Sequence, residues 1–252
     1  AELVIGTQTF GEDARQITQH RVARQVTDLT TLSATDGFIL QGDMADDRAG
    51  WSVSAAGDVN GDGFGDLIVG AVRGDDGGYN AGEAYVVFGS GSGFGDTVNT
   101  GGFDRQVIDL TALSVADGFI IQGDTGSTQG GDYAGFSVSG AGDVNGDGFA
   151  DLIAGATGGD DGGFSAGEAY IVFGKASGFG ETVNTGGFER QVIDLTTLSA
   201  AQGFIIQGDT NEDQAGFSVS LAGDVNGDGF GDLIVGAPGG DDGGNGGPNA
   251  GE

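Results

Sequence analysis

The run Gly135-Phe-Ser-Val-Ser-Gly-Ala-Gly-Asp-Val-Asn-Gly-Asp-Gly-Phe-Ala-Asp-Leu-Ile-Ala-Gly-Ala156 carries the pattern on which the fold turns. In Gly135–Ser139 the apolar Phe136 and Val138 alternate with serines, as in a strand with one buried face. Leu152–Ala156 reads as a second, wholly apolar strand. Between them Asp143–Asp151 is polar and glycine-rich, and reads as a loop. Equivalent strand, loop and strand arrangements surround Asp58–Asp66 and Asp224–Asp232, so the loops recur at intervals of 81 to 85 residues.

Outward from this run the repeat covers the whole chain. Ala84–Gly89 (AYVVFG) returns as Ala169–Gly174 (AYIVFG) and more loosely as Ala1–Gly6 (AELVIG), which divides residues 1–252 into units 1–83, 84–168 and 169–252 of one repeat domain. The middle unit opens with the strand Ala84–Gly89 and a glycine-rich loop through Gly102. A strand at Arg105–Leu110, a connector or single helical turn at Thr111–Asp117 and a strand at Phe119–Gln122 follow. Four or five short strands per unit and no amphipathic helix predict an all-β chain. A four-stranded antiparallel sheet repeated in tandem is the blade of a β-propeller, and solenoid coils usually have shorter periods. The predicted architecture is therefore propeller-like, with three blades of about four strands. Residues 1–6 are in phase to complete the sheet left open at Glu252, or that of a neighbouring chain, which would hide a strand edge. Propellers usually have four to eight blades, so three units predict a fragment of a longer ring, a dimer sharing six blades, or a head-to-tail polymer.

Composition narrows the function. With 38 acidic residues against 8 Lys and Arg the formal charge is −30, which repels nucleic acid and anionic membranes. There is no cysteine, so neither disulfides nor thiolate metal sites are available. No stretch approaches the length of a membrane span, and Ala1–Gly6 lacks the features of a signal peptide; no membrane insertion is expected.

The three loops carry the chemistry. Oxygen-bearing residues at positions 1, 3, 5 and 9, with glycine at 6, are what a hard cation requires of a tight turn. The predicted ligands are Asp58, Asn60, Asp62, Asp66; Asp143, Asn145, Asp147, Asp151; and Asp224, Asn226, Asp228, Asp232, with main-chain carbonyls from Phe64, Phe149 and Phe230. The side chains of these phenylalanines are expected to turn into the core. Three carboxylates and one amide per loop favour Ca²⁺ over Mg²⁺, which demands strict octahedral geometry and holds its water. About three Ca²⁺ per chain are predicted. The plainer reading, an Asx-rich turn, is weakened by three repetitions in register.

The run Gly-Phe-Ser-Val-Ser, then Ala-Gly-Asp-Val-Asn-Gly-Asp-Gly, then Asp232-Leu-Ile-Val-Gly-Ala-Pro238 resembles the FG-GAP repeat of the integrin α-subunit β-propeller and its bacterial relatives. The resemblance implies one blade per repeat, with the Asp-rich loop binding Ca²⁺ on one face of a ring. The chain departs from the pattern in places: Val72 and Thr157 stand where the third unit keeps Pro238, and each unit carries an insert near Thr97–Arg105 or its equivalent.

Other features remain. Asp75–Asp76, Asp160–Asp161 and Asp241–Asp242 lie in glycine-rich turns and read either as a second ion site or as solvated turns. Arg73-Gly74-Asp75 spells an adhesion tripeptide, but the other units have Gly-Gly-Asp there. Arg24, Arg105 and Arg190 recur in Arg-Gln-Val inserts, either pairing with acids of a neighbouring unit or docking units or chains together. The single His20 and single Lys175 do not recur with the repeat, so no enzyme is expected. The expected function is a secreted or surface-displayed calcium-binding module for cell adhesion or assembly, self-associating or part of a longer chain, with a protein or glycan partner that the residues do not identify. The rivals are a structural protomer of an extracellular filament and a carbohydrate-binding or hydrolytic propeller.

Overall fold

The computed structural model describes residues 29–124, 130–185, 187–240 and 251. The expectations that fall on Ala1–Gly6, His20, Arg24, Asp241, Asp242 and Glu252 lie outside them. In chain order the strands are β1 (Phe38–Gln41), β2 (Ala49–Gly57), β3 (Asp66–Ala71), β4 (Glu83–Val87), β5 (Asp96–Thr100), β6 (Phe103–Asp109) and β7 (Gly118–Gln122). The same series continues with β8 (Ala134–Gly142), β9 (Asp151–Ala156), β10 (Glu168–Val172), β11 (Glu181–Thr185), β12 (Phe188–Asp194), β13 (Gly203–Gln207), β14 (Ser218–Gly223) and β15 (Asp232–Gly236). Helical structure among the described residues is confined to three-residue 3-10 turns, Leu29–Thr31, Leu110–Ala112 and Leu195–Thr197.

The chain is all-β, and its sheets are propeller-like blades. The first blade is the antiparallel order β2-β3-β4-β7 and the second is β8-β9-β10-β13. Of the third, the described residues show β14 and β15. Each complete blade takes its first two strands from one sequence unit and its last two from the next, straddling the boundaries after Glu83 and Glu168.

The apolar runs follow from burial on both faces. A strand sandwiched between neighbouring sheets has no solvent side, so it loses the alternation of polar and apolar residues. Ile68, Val86, Phe119 and Ile121 of the first blade meet Leu152, Ala154, Tyr170 and Val172 of the second in one core. Ile153 and Ile171, on the far face of the second blade, meet Val219, Leu233 and Val235 of the third. Both β4 and β10 are buried at every residue. The blades approach so closely that a Cβ on Gly70 would stand 2.1 Å from the Gly135 carbonyl oxygen, and one on Gly155 2.0 Å from that of Gly216. In the first two Leu-Ile-Xaa-Gly runs the glycine is therefore where the start of the next blade seats.

The insert forms a hairpin and leaves its own blade. The stretch through Gly102, read as a loop, contains β5, whose five residues are all exposed, and a tight turn at Gly101 and Gly102 returns it as β6. Although it follows β4 in sequence, β6 pairs in parallel with β1, the last strand before the first blade. In the next unit β12 pairs in parallel with β7, extending the first blade by two strands to the order β11-β12-β7-β4-β3-β2. Each hairpin thus covers the outer edge of the preceding sheet, where an unpaired strand would invite association.

Arg190 of β12 fastens this crossing. Its side chain is 4% exposed, donates to the carbonyls of Leu110 (3.1 Å) and Thr111, and lies 3.7 Å from Asp76. Arg190 is therefore a contact between units: it bonds the carbonyls of the neighbouring unit and pairs with an acid of the first. Arg190→Ala removes the donor to the Thr111 carbonyl and leaves the Leu110 carbonyl with the Leu113 amide alone, at 3.4 Å, and is expected to cost about 2 kcal/mol. The urea midpoint checks this, and hydrogen exchange should quicken in β11 and β12 before the rest of the blade.

Candidate metal centres

The Asp-rich loops join β2 to β3, β8 to β9 and β14 to β15, so all lie at the same end of their sheets. Four internal hydrogen bonds are common to all three. In the first loop Asp58 accepts from the Asp62 and Gly63 amides at 3.0 and 2.9 Å, Asn60 from Asp62 at 2.9 Å, and Asp62 from Phe64 at 2.8 Å. The Asp143, Asn145 and Asp147 side chains repeat this at 3.1, 3.0, 2.9 and 3.0 Å, and those of Asp224, Asn226 and Asp228 at 3.0, 3.0, 2.8 and 2.9 Å. The tight winding needs positive φ twice per loop, at Gly61 (74°) and Gly63 (91°) in the first, which a residue with a Cβ adopts at a cost.

The ninth residue is different. Asp66 is 1% exposed and Asp151 0%. Asp66 accepts from the Val59 amide at 2.8 Å and the Gly89 amide at 2.7 Å; Asp151 accepts from Val144 and Gly174, both at 2.8 Å. Each therefore ties its loop to the chain just past the end of β4 or β10. Asp232 accepts from the Val225 amide at 2.6 Å. The structure gathers positions 1, 3 and 5 around the turn amides and sets position 9 at the loop base. Three carboxylates, an amide oxygen and a main-chain carbonyl form an all-oxygen donor set of the kind calcium takes.

The phenylalanines correct the expectation that they turn into the core: Phe64 and Phe230 are 47% and 44% exposed. The Phe149 and Phe230 rings instead bridge loops. A Cβ on Gly61 would stand 2.5 Å from the Phe149 ring, and one on Gly146 2.5 Å from the Phe230 ring. The Ala150 amide donates to the Asp58 carbonyl at 3.0 Å, and the Gly231 amide to that of Asp143 at 3.1 Å. Stacking of the blades leaves the Phe149 and Phe230 rings over the preceding turn, and the Phe64 ring lies against Gly91.

A second group of carboxylates lies at the other end of the strands, around the Gly-Asp-Asp turns. Among the described residues, one set of three acids has carboxylate oxygens all within 4.8 Å of one another: Asp43, Asp76 and Glu83. Glu83, fully buried, accepts from the Asp76 amide at 2.9 Å and the Tyr85 hydroxyl at 2.7 Å. Sequence reading singled out the paired aspartates but passed over Asp43, Asp47 and Glu83. The usable signal was a Gly-Asp after each Gln-ending strand and a Gly-Glu before each Ala-Tyr strand.

Burial pushes Glu83 up to about 7, against the Tyr85 and Asp76 hydrogen bonds and with repulsion from Asp76 and Asp43. It raises Asp132 to about 7, where Glu168, Asp124, Asp160 and Asp161 add repulsion. Asp151 rises to about 6, burial outweighing the Gly174 and Val144 amides, with Asp147 and Asp143 adding to the rise. Folded values above the unfolded ones mean that the folded chain binds more protons. The stability these groups contribute is full below the ordinary carboxylate range and is lost as pH rises through 6 to 7. In metal-free buffer the unfolding temperature should therefore fall between about pH 5 and about pH 8; a thermal scan at each pH checks it.

A family model of the FG-GAP repeat matches residues 49–87, 134–172 and 215–252. The first two matches run from the first strand of a blade through its third, with the Asp-rich loop inside. Comparison with curated proteins gives no match. No helix among the described residues is long and apolar enough to cross a membrane.

Proposed function

The chain carries three FG-GAP repeats, and from that premise we propose that it is a calcium-stabilised β-propeller module, working in adhesion or assembly outside the cell without catalysis. The observation that carries the reading is the set of hydrogen bonds that the Asp-rich loops share around positions 1, 3 and 5. The loops would hold one Ca²⁺ each, through Asp58, Asn60, Asp62, Asp66 and the Phe64 carbonyl in the first and their counterparts in the others. The ion supplies charge neutralisation that lets the loop pack. Sites of this kind in extracellular modules bind at roughly 10⁻⁴ to 10⁻³ M, which favours a compartment with millimolar calcium.

One observation favours self-association as the form of assembly. The strands β1 and β7 each carry an Arg-Gln-Val strand on the outer edge, whereas among the described residues β13 pairs with β10 alone, and its Phe204 and Ile205 are 43% and 40% exposed. The remaining Arg-Gln-Val copy is Arg24–Val26. In this reading the outer edge of β13 in one copy takes a strand from the next, head to tail. Sedimentation in Ca²⁺ tests it: wild type should form dimers or longer series, and Arg24→Ala should weaken them. A wild-type monomer at every concentration would remove the assembly reading and leave the calcium reading standing.

A further inference from the structure

The junction between the first two blades gathers five acids opposite the Asp-rich loops. Asp124 follows β7, Asp132 precedes β8, Asp160 and Asp161 occupy the turn between β9 and β10, and Glu168 opens β10. Glu168, 1% exposed, has donors for both oxygens, the Asp161 amide at 3.1 Å and the Tyr170 hydroxyl. Asp132, 2% exposed, is not provided for: its Oδ1 is buried with no hydrogen-bond partner. The charged groups that act on it, Glu168, Asp124, Asp160 and Asp161, are all acids. A buried carboxylate oxygen that lacks a donor and faces other carboxylates is costly, and a cation is what removes the cost.

The same positions recur one unit earlier as Asp43, Asp47, Asp75, Asp76 and Glu83. There the oxygens of Asp43, Asp76 and Glu83 lie within 4.8 Å of one another. One calcium ion bonded at about 2.3–2.6 Å spans such a set. Arg190, 3.7 Å from Asp76, offsets one of these charges and leaves the others unbalanced. The backbone makes room for the acids: a Cβ on Gly74 would stand 2.4 Å from the Glu83 carboxyl carbon, and one on Gly159 2.6 Å from that of Glu168.

We propose that two further calcium ions are held, one at the junction of the first two blades by Asp124, Asp132, Asp161 and Glu168, and one where the chain passes from β1 into the first blade by Asp43, Asp47, Asp76 and Glu83. These sites are separate from the Asp-rich loops and lie at the opposite ends of the strands. Each ion ties the segment leaving β7 or β1 to the turn of the blade that follows, so blades are clamped at both ends.

The tyrosines give a selective readout. All four in the chain, Tyr79, Tyr85, Tyr133 and Tyr170, lie in or beside these clusters, whereas the Asp-rich loops contain Phe64, Phe149 and Phe230. The full chain with Trp51→Phe, so that tyrosine is the sole donor, is titrated with Tb³⁺ under tyrosine excitation, and bound Ca²⁺ is counted by calorimetry. The expected result is strong sensitised emission that Ca²⁺ displaces, and more than three ions per chain. Asp132→Asn, which keeps shape, should remove one ion and part of the emission; Asp147→Asn, in an Asp-rich loop, should lower the count and leave the emission unchanged. A count of three or fewer with no tyrosine-sensitised emission, or an Asp132→Asn chain identical to its parent in both readouts, would overturn the proposal. Failure of Asp147→Asn alone to lower the count would instead strike the loop sites.

Discussion

In excess EGTA the chain should unfold on the order of 10 °C below its midpoint in millimolar Ca²⁺. A loop site filled at about ten times its dissociation constant adds ~1.4 kcal/mol, so three loops together add about 4 kcal/mol. For a chain of this size each kcal/mol moves the midpoint by roughly 2–4 °C. The physical source is mutual repulsion: Asp58, Asp62 and Asp66 belong to a nine-residue loop without a cation side chain, and the other loops repeat that composition. Circular dichroism melts with and without EGTA, beside a calorimetric ion count, make the check. An unchanged midpoint with no bound ion would reduce the loops to Asx turns.

Asp151→Ala should destabilise more than Asp147→Ala, and under different conditions. The Asp151 carboxylate is fully buried and holds the Val144 and Gly174 amides whether or not an ion is bound. Its removal strands two donors and detaches the loop from the strand end, a loss of about 3 kcal/mol in EGTA and more in Ca²⁺. Asp147 is exposed at the loop tip, where it accepts from the Phe149 amide at 3.0 Å. Asp147→Ala should therefore cost little in EGTA and about one ion's worth of stability in Ca²⁺. Chemical denaturation of both variants in both buffers separates the roles. Equal losses in EGTA would show that the ninth position has no anchoring function apart from the metal.

The line of loops adds a consequence for the same experiments. Because Phe149 covers Gly61 and the Ala150 amide reaches the Asp58 carbonyl, disorder in one loop removes contacts from the next. Gly146, at φ 76° under the Phe230 ring, sits at the corresponding contact between the second and third loops.

Much of this architecture could be read from the residues alone, because it depends on local chemistry. Alternation in Gly135–Ser139, apolar runs such as Leu152–Ala156 and glycines at fixed places in the Asp-rich loops each have one inexpensive backbone solution. Three in-register copies then made blades the natural expectation. The hairpin strand β5 escaped notice because its Thr-Val-Asn-Thr core buries no residue and so leaves no hydrophobic signature. Glu83 and Asp132 escaped for the opposite reason: an isolated acid in sequence looks solvated until packing shows that it is buried.

Strand identity, loop ligands and the unit length are thus properties of short stretches, where neighbours along the chain supply the physics. Which sheet each strand joins is not. The parallel pairing of β12 with β7, the burial of Arg190 against Leu110 and Thr111, and the gathering of Asp43, Asp76 and Glu83 join residues far apart in the chain. Such contacts exist only after blades stack, since their energy comes from desolvation and charge proximity that no single repeat creates.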